Sequence, residues 1–356
     1  MDLTGLHTVP IVGVLAAGLA TLAGSARGFT TTAERVGLAL GLSPFAVGIV
    51  IVAVGTSLPE LAASLLASSQ GTSEVVSGNV LGANTANLLL VLGCVALASR
   101  RGIHLGERYI AIDLNFMVGS AALLTLVAFD GRVSRLEGAL LLLAYAAYMG
   151  HLLTDGRTPS ADAQFDEALA TSPHPRARMR DFALLALLAG TIYLGASLTL
   201  DALIAMAARL GISTAIASVT ILSLGTTLPE MTVSVTAAAR GRAEMAVGNI
   251  LGSCIFNALT VVGAASLVGR IDVPRELMVL PVPAFIGSAM LFYLLTQDRR
   301  VSPWEGLLFV LGYLLLHHQD WRKEGRPIER VAPRLGVRLA RGPRPRGRTV
   351  AKILAG

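Results

Sequence analysis

One stretch of this 356-residue chain occurs twice, and the repetition constrains the fold more than any other feature. The first copy reads Gly55-Thr56-Ser57-Leu58-Pro59-Glu60 and resumes as Gly78-Asn79-Val80-Leu81-Gly82-Ala83-Asn84-Thr85-Ala86-Asn87. The second reads Gly225-Thr226-Thr227-Leu228-Pro229-Glu230 and resumes as Gly248-Asn249-Ile250-Leu251-Gly252-Ser253-Cys254-Ile255-Phe256-Asn257. Adding 170 to each residue number carries 55–93 onto 225–263 without a gap, and 17 of those 39 positions are identical. Self-similarity of this kind marks two copies of one structural unit. Each copy sets a carboxylate beside proline inside apolar sequence.

That apolar setting runs the length of the chain. Hydrophobic residues make up 53% and charged residues only 15%, with a mean hydropathy of +0.66. Apolar runs of membrane-spanning length recur from end to end, which predicts an all-α polytopic membrane protein. Ten spans are expected, near residues 8–26, 29–69, 73–98, 108–129, 134–153, 180–199, 201–239, 243–268, 277–296 and 302–318. Two of them, 29–69 and 201–239, are long arms. A continuous helix over 29–69 would run roughly 60 Å, about twice the hydrocarbon core, so each arm must break or bend. Pro44, Gly55 and Pro59 supply the breaks in the first arm, Gly225 and Pro229 in the second.

The repeat extends past the motifs. Arg135-Leu136-Glu137-Gly138 and Tyr145 resemble Trp304-Glu305-Gly306 and Tyr313 in the last span of each half. Five spans per half is an odd number, so the halves sit in the bilayer with opposite orientation, an arrangement used by many secondary transporters. The expected organisation is a first inverted repeat over 1–153, a polar linker over 154–179, a second inverted repeat over 180–318 and a basic tail over 319–356. The linker, with Pro159, Pro173 and Pro175, has no room for a catalytic or regulatory domain. The tail holds 11 Lys/Arg against Asp320, Glu324 and Glu329, a local +8 within a net charge of +6, which leaves 6 − 8 = −2 elsewhere. Its Pro and Gly content favours a disordered segment over a lipid-binding helix, and nucleic acid is not an expected partner. Lys/Arg in the loops place the N-terminus outside by the positive-inside rule, against the vote of the tail. The first apolar run, lacking a basic stretch before it, reads as a retained helix. Cys94 and Cys254 are isolated and match neither a disulfide framework nor a zinc site.

The chemistry of the doubled motif starts from Glu60 and Glu230. A carboxylate at mid-bilayer is costly unless paired, protonated or bound to a cation, and neither motif contains Lys or Arg. Two such groups meeting across an inverted repeat make a −2 site suited to one Ca²⁺ or several Na⁺. The prolines leave upstream carbonyls short of N–H partners. Those of Ala53, Val54, Ser223 and Leu224 become candidate oxygen ligands, beside the hydroxyls of Thr56, Ser57, Thr226 and Thr227. Asn79, Asn87, Asn249 and Asn257 add amides that can ligate or orient the carboxylates. The set is all-oxygen, which favours hard cations. Gly78/Gly82 and Gly248/Gly252 lie one helical turn apart and allow close helix approach. Against the ligand reading stands a buried, protonated structural carboxyl for each Glu, and backbone bonding for the Ser and Thr. Glu137, Glu305, Asp113 and Glu276 read as interfacial, and Cys254 as packing.

At these residues the chain resembles the cation/Ca²⁺ antiporter superfamily, in its prokaryotic sodium/calcium exchanger branch, whose two repeats carry GTSLPE and a GN-x-x-GSN-x-x-[ND] segment. The resemblance spans about residues 8–318. It implies ten helices, with helices 2–3 and 7–8 forming the site and breaks in helices 2 and 7. It also implies an outside N-terminus and alternating exchange of Na⁺ for Ca²⁺. By position it makes Glu60 and Glu230 the central ligands, flanked by Thr56, Ser57, Thr226 and Thr227. Ala53 and Ser223 become carbonyl donors, Ser253 a hydroxyl donor, and Asn87 and Asn257 the amide/acid positions. Three residues depart from the pattern. Ala83 replaces the usual Ser, Cys254 follows Ser253 where Asn is usual, and Asn257 stands where some exchangers have Asp. Fewer hard donors imply fewer bound Na⁺.

The expected function is a secondary active antiporter of a prokaryotic inner membrane, with Ca²⁺ and Na⁺ as transported ions and no cofactor. A Ca²⁺/H⁺ antiporter on the same scaffold is the nearest alternative, and a passive cation channel is a more distant one. The chain holds no HExxH and no Ser/His pair, so an enzyme is not expected.

Overall fold

The long first helix sets the frame for everything packed inside it. The computed structural model describes residues 8–42, 44–99, 102–105, 113–155, 177–209 and 223–323. Helix α1 (Thr8–Ala39) runs without interruption for 32 residues. This corrects the sequence expectation of a first span ending near residue 26. Thr30, Thr31 and Thr32 do not stop the helix because each hydroxyl turns back onto a carbonyl of the preceding turn. The stop comes at Gly41, with φ +75°, where Leu42 N–H reaches back to the Gly37 carbonyl at 2.9 Å.

The first arm therefore begins at Pro44. It comprises α2 (Pro44–Val47), the π-helix π1 (Gly48–Ala53), α3 (Val54–Thr56) and α4 (Leu58–Ser69). The arm bends by 42° at Ser57, between Phe45–Thr56 and Leu58–Ser69. Pro59 sits in the first turn of α4, where its missing N–H costs nothing. After a turn closed by Gly71 come α5 (Glu74–Thr85), π2 (Ala86–Val91) and α6 (Leu92–Ala98), then β1 (Ile103–His104), α7 (Leu114–Val127), β2 (Arg132–Val133) and α8 (Arg135–Asp155).

The second half follows the same order. Helix α9 (Met179–Arg209) matches α1 and absorbs residues expected in the second arm. Next are α10 (Ser223–Ala239), α11 (Ala243–Ile255), π3 (Phe256–Val261), α12 (Val262–Val268), β3 (Ile271–Asp272), α13 (Arg275–Val279), α14 (Pro281–Leu295), β4 (Arg300–Val301) and α15 (Pro303–Lys323). Helix α10 continues through Pro229, so Gly225 and Pro229 do not break it as expected. Residues 210–222, the middle of the second arm, lie outside the described residues, as do most of the linker and the tail.

Among the described residues five helices are long and apolar enough to cross a membrane: Pro10–Ala39, Glu74–Ala98, Met179–Thr199, Ala243–Val268 and Arg275–Leu295. Counting the bent pair as one span makes six, and Leu114–Val127 and Pro303–Leu316 are apolar but shorter. The chain is thus a polytopic helical membrane protein. The α5–π2–α6 and α11–π3–α12 rods are largely buried at the centre, whereas α1 and α9 expose most of their surface. Helices α1 and α9 cross tightly at Gly18 and Gly195. A methyl group on Gly195 would meet the Leu22 nitrogen at 2.8 Å.

Two short strand pairs tie the halves together. β1 pairs with β4 (Ile103 opposite Val301), and β2 with β3 (Val133 opposite Ile271), both antiparallel. Adding 168 to the residue numbers carries β1 onto β3 and β2 onto β4, so the two pairs are equivalents of one another. Immediately after β2 and β4, Ser134/Glu137 and Ser302/Glu305 each form a reciprocal capping box at a helix start, with the Glu accepting the Ser N–H at 2.7 and 2.6 Å. That accounts for Glu137 and Glu305. Asp113, expected at the interface, is instead fully buried and accepts the Tyr148 hydroxyl at 3.0 Å.

Candidate functional site

Glu60 is in the first turn of α4 and Glu230 in the middle of α10, and both are 0% exposed. Ser57, at the bend of the first arm, donates to Glu230 Oε1 at 2.8 Å. The Thr56 and Ser253 hydroxyls also approach Glu230, and the Thr226 hydroxyl approaches Glu60. The two carboxyls are close enough to act on one another electrostatically. Three of their four oxygens (both of Glu60 and Oε2 of Glu230) have no hydrogen-bond donor. Buried oxygens left open in this way are costly unless something binds them.

A pair of matched hydrogen bonds crosses between the halves around them. Thr56 Oγ1 donates to Asn249 Oδ1 at 3.2 Å, and Thr226 Oγ1 to Asn79 Oδ1 at 3.2 Å. These are one contact made twice, since 56 and 79 become 226 and 249 on adding 170. The close approach is set by glycine: a methyl group on Gly248 would come within 2.3 Å of the Phe45 carbonyl, and one on Gly48 within 2.3 Å of the Met245 carbonyl.

The symmetry fails at Cys254. Asn84 donates to the Cys254 carbonyl at 3.1 Å, and its Oδ1 accepts from Asn257 Nδ2 at 3.2 Å. Asn87 is the counterpart of Asn257, but position 254, the counterpart of Asn84, holds a thiol in place of an amide. Both polar atoms of Asn87 are buried without a partner, as is the Ser253 hydroxyl. Ala83, the counterpart of Ser253, is buried and apolar.

Asn87 and Asn257 each lie in a π-helical turn, π2 and π3, and Ala53 ends π1. π-turns loosen the regular hydrogen-bond ladder and are common at functional sites. The Ala53 carbonyl, expected to be open because of Pro59, accepts the Ser57 N–H at 3.0 Å, and the Thr56 hydroxyl, whose one proton goes to Asn249, lies 3.3 Å from it. The carbonyl that loses an N–H partner to a proline is the one four residues before it, Gly55 for Pro59. Thr227 is buried with the rest, and Ser223 is the first residue of α10, its side chain outside the described residues.

Sequence reasoning missed the Thr–Asn cross-pairs, Ser234, which accepts Asn249 Nδ2 at 2.8 Å, and a recess of about 180 Å³. The recess is lined by Glu74, Gly78, Asn79, Pro274, Glu276 and Leu277, so it reaches Asn79, the partner of Thr226. The repeat itself, which carries Asn79 onto Asn249, was the available sign of the cross-pairs.

Comparison with known proteins gives consistent matches. The profile of the family described as "Sodium/calcium exchanger protein" matches residues 10–154 and 181–317. A putative antiporter, CaxA, of Alkalimonas amylolytica is 30% identical over 303 residues, covering 83% of this chain and 94% of that one. The sodium/calcium exchanger MaX1 of Methanosarcina acetivorans is 29% identical, covering 85% and 95%. Among solved structures, the sodium-calcium exchanger NCX_Mj soaked with 10 mM Na⁺ and 10 mM Sr²⁺ superposes with a TM-score of 0.73 at 26% identity, covering 87% of this chain and 98% of that one.

Proposed function

Because the chain belongs to the sodium/calcium exchanger family, within the cation/Ca²⁺ antiporters, we propose that it exchanges Na⁺ for Ca²⁺ at a site centred on Glu60 and Glu230. The observation that carries this reading is the pair of buried carboxyls, one from each half, with three open oxygens between apolar helices. Two carboxylates provide the charge that one Ca²⁺ neutralises, and hydroxyls, amides and water complete an oxygen shell of roughly six to eight. Several Na⁺ compete for the same charges, and that competition couples the two fluxes.

The ligand set in this reading is Glu60, Glu230, Thr56, Thr226, Ser57, Thr227, Asn87, Asn257 and Ser253, with backbone oxygen from Ala53 and Ser223. The scaffold is ten spans in two inverted repeats, 1–153 and 180–318, with the N-terminus outside. The matched Thr–Asn contacts and the equivalent strand pairs support that symmetry. Exchange follows if α1 and α9 slide across the central bundle only when the site is loaded, exposing it to one side at a time.

Coupling to H⁺ in place of Na⁺ is the second reading, favoured by one observation: Ala83 supplies no hydroxyl opposite Ser253. Purified protein in vesicles, given Na⁺, K⁺ and H⁺ gradients separately, decides between them. Radioactive Ca²⁺ accumulates on imposing an outward Na⁺ gradient if sodium is the coupling ion. Accumulation driven by a pH gradient without Na⁺ replaces that reading with proton exchange. Leak without saturable counterflow replaces both with a channel.

A further inference from the structure

Arg242 immediately precedes α11, and Glu34 lies near the end of α1. Arg242 Nε donates to Glu34 Oε1 at 2.8 Å, and its Nη2 pairs with Glu34 Oε2, making a two-point fork. The two side chains are 28% and 25% exposed, so the fork is largely sheltered. Two residues earlier, Arg240 Nη1 donates to Thr31 Oγ1 at 3.0 Å and to the Arg27 carbonyl at 3.2 Å. Arg27, Thr31 and Glu34 stand at i, i+4 and i+7, along one face of α1. The turn between α10 and α11 thus grips the outer helix at three points.

The other half has no equivalent. Subtracting 170 from Arg240 and Arg242 gives Gln70 and Thr72, both exposed, and Thr72 bonds within its own turn to the Ala67 carbonyl at 3.2 Å. Adding 170 to Glu34 and Arg27 gives Ile204 and Ser197, which cannot form an ion pair. The asymmetry therefore belongs to the sequence.

The grip also lies at a definite end of the bundle. The α5–π2–α6 rod runs from the α4–α5 turn to β1, and the α11–π3–α12 rod from the α10–α11 turn to β3. Ser77 donates to the Asp272 carbonyl at 2.9 Å, and Asp272 N–H to Ser73 Oγ at 3.1 Å, so β3 sits beside the α4–α5 turn. The Glu74–Asn79–Glu276 recess is at that same end. Arg240 and Arg242 are at the opposite one.

We propose that the Arg242–Glu34 fork, supported by Arg240, is a one-sided ionic latch. It holds α1 against the central bundle at the end away from the recess, and so biases the resting protein toward access from the recess side. A ligand or contact shifts a two-state balance only by its difference between the states. The fork exists in the latched state and must part for α1 to slide, so it supplies such a difference. This inference rests on the alternating-access reading above.

The test uses the full-length protein in vesicles of uniform orientation. The apparent Ca²⁺ KM is measured separately from each face for the wild type, Glu34→Gln, Arg242→Gln and the charge-swapped pair Glu34→Arg/Arg242→Glu. Each single neutralisation lowers KM on the latch side and raises it on the recess side, by about two- to fivefold, in line with a sheltered ion pair. The swapped pair restores the wild-type values. Should a single variant fail to fold, the swapped pair and Arg242→Lys, which keeps the charge and loses the fork, carry the same comparison. Exchange in the wild type with KM unchanged, or moved equally on both faces, or unrestored by the swap, overturns the latch alone. A wild type that shows no counterflow overturns the exchange reading, and the latch with it.

Discussion

Ser57 Oγ donates to Glu230 Oε1 at 2.8 Å, a bond from the bend of one repeat to the carboxyl of the other. It is the one short bond to the pair, with the Thr56 and Ser253 hydroxyls near Glu230 and the Thr226 hydroxyl near Glu60 around it. The two halves of the site are therefore not interchangeable: Glu230 is held by a short bond, and Glu60 is only approached by Thr226.

Ser57→Ala removes that donor and leaves the buried Glu230 with only the Thr56 and Ser253 hydroxyls nearby. A lost bond to a buried charged group costs about 1–3 kcal/mol. The expected result is a lower melting temperature in detergent without Ca²⁺, with much of the loss recovered when Ca²⁺ is added, since a bound cation satisfies the same oxygens. A variant that melts like the wild type removes the bond from the account of the site.

Glu60→Gln and Glu230→Gln each take one charge from the pair and leave the shape intact. Both should abolish Na⁺-driven Ca²⁺ accumulation in vesicles while the protein still purifies as a monodisperse species. Sustained accumulation by either variant would sink the two-glutamate site.

Cys254→Asn supplies the amide that Asn87 lacks. The expected outcome is a thermal stability raised by about 0.5–1.5 kcal/mol, the net worth of one buried hydrogen bond. Asn87→Ala should then cost more in the Cys254→Asn background than in the wild type, the difference being the coupling between the two positions. Equal costs in the two backgrounds would show that the new amide does not reach Asn87.

Ala83→Ser puts a hydroxyl opposite Ser253. If the missing hydroxyl limits Na⁺ occupancy, the variant shows a steeper Na⁺ dependence of Ca²⁺ flux, read as a higher Hill coefficient. An unchanged coefficient separates Ala83 from sodium binding.

Gly248→Ala places a methyl group within 2.3 Å of the Phe45 carbonyl, which is backbone and cannot swing away. Overpacking of this kind costs about 1–3 kcal/mol, and the helices can relieve it only by separating. Thermal melting should fall, and flux with it. Gly287→Ala, with open space at the same test, should change neither.

The sequence carried the repeat, the two glutamates and their neighbouring hydroxyls, because each is a costly or unusual choice in apolar surroundings and each occurs twice. It did not carry the limits of α1 and α9. No residue between Gly28 and Ala39 forbids helix, and apolar content alone cannot say where one span yields to the next. Nor did it carry the state of the Ala53 carbonyl. Proline identifies a missing donor four residues back, but which carbonyl stays open depends on how the chain turns at Ser57. The Thr56–Asn249 and Thr226–Asn79 contacts needed knowledge of which helices cross, which the spacing of 170 implies only once the halves are seen to interlock. Glu34 and Arg242 are 208 residues apart, and no periodicity joins them.

The two strand pairs bear on how the molecule is made. β1 has its partner in β4, and β2 in β3, so each strand of the first half waits for residues beyond 270. Glu60 waits likewise for Glu230 and Thr226. Contacts of such long sequence separation form late and slowly. A chain emerging from the ribosome therefore carries a solitary carboxyl until residue 230 has been made. The first half is thus an incomplete object on its own, and a chain that stops before residue 230 leaves Glu60, β1 and β2 without their partners.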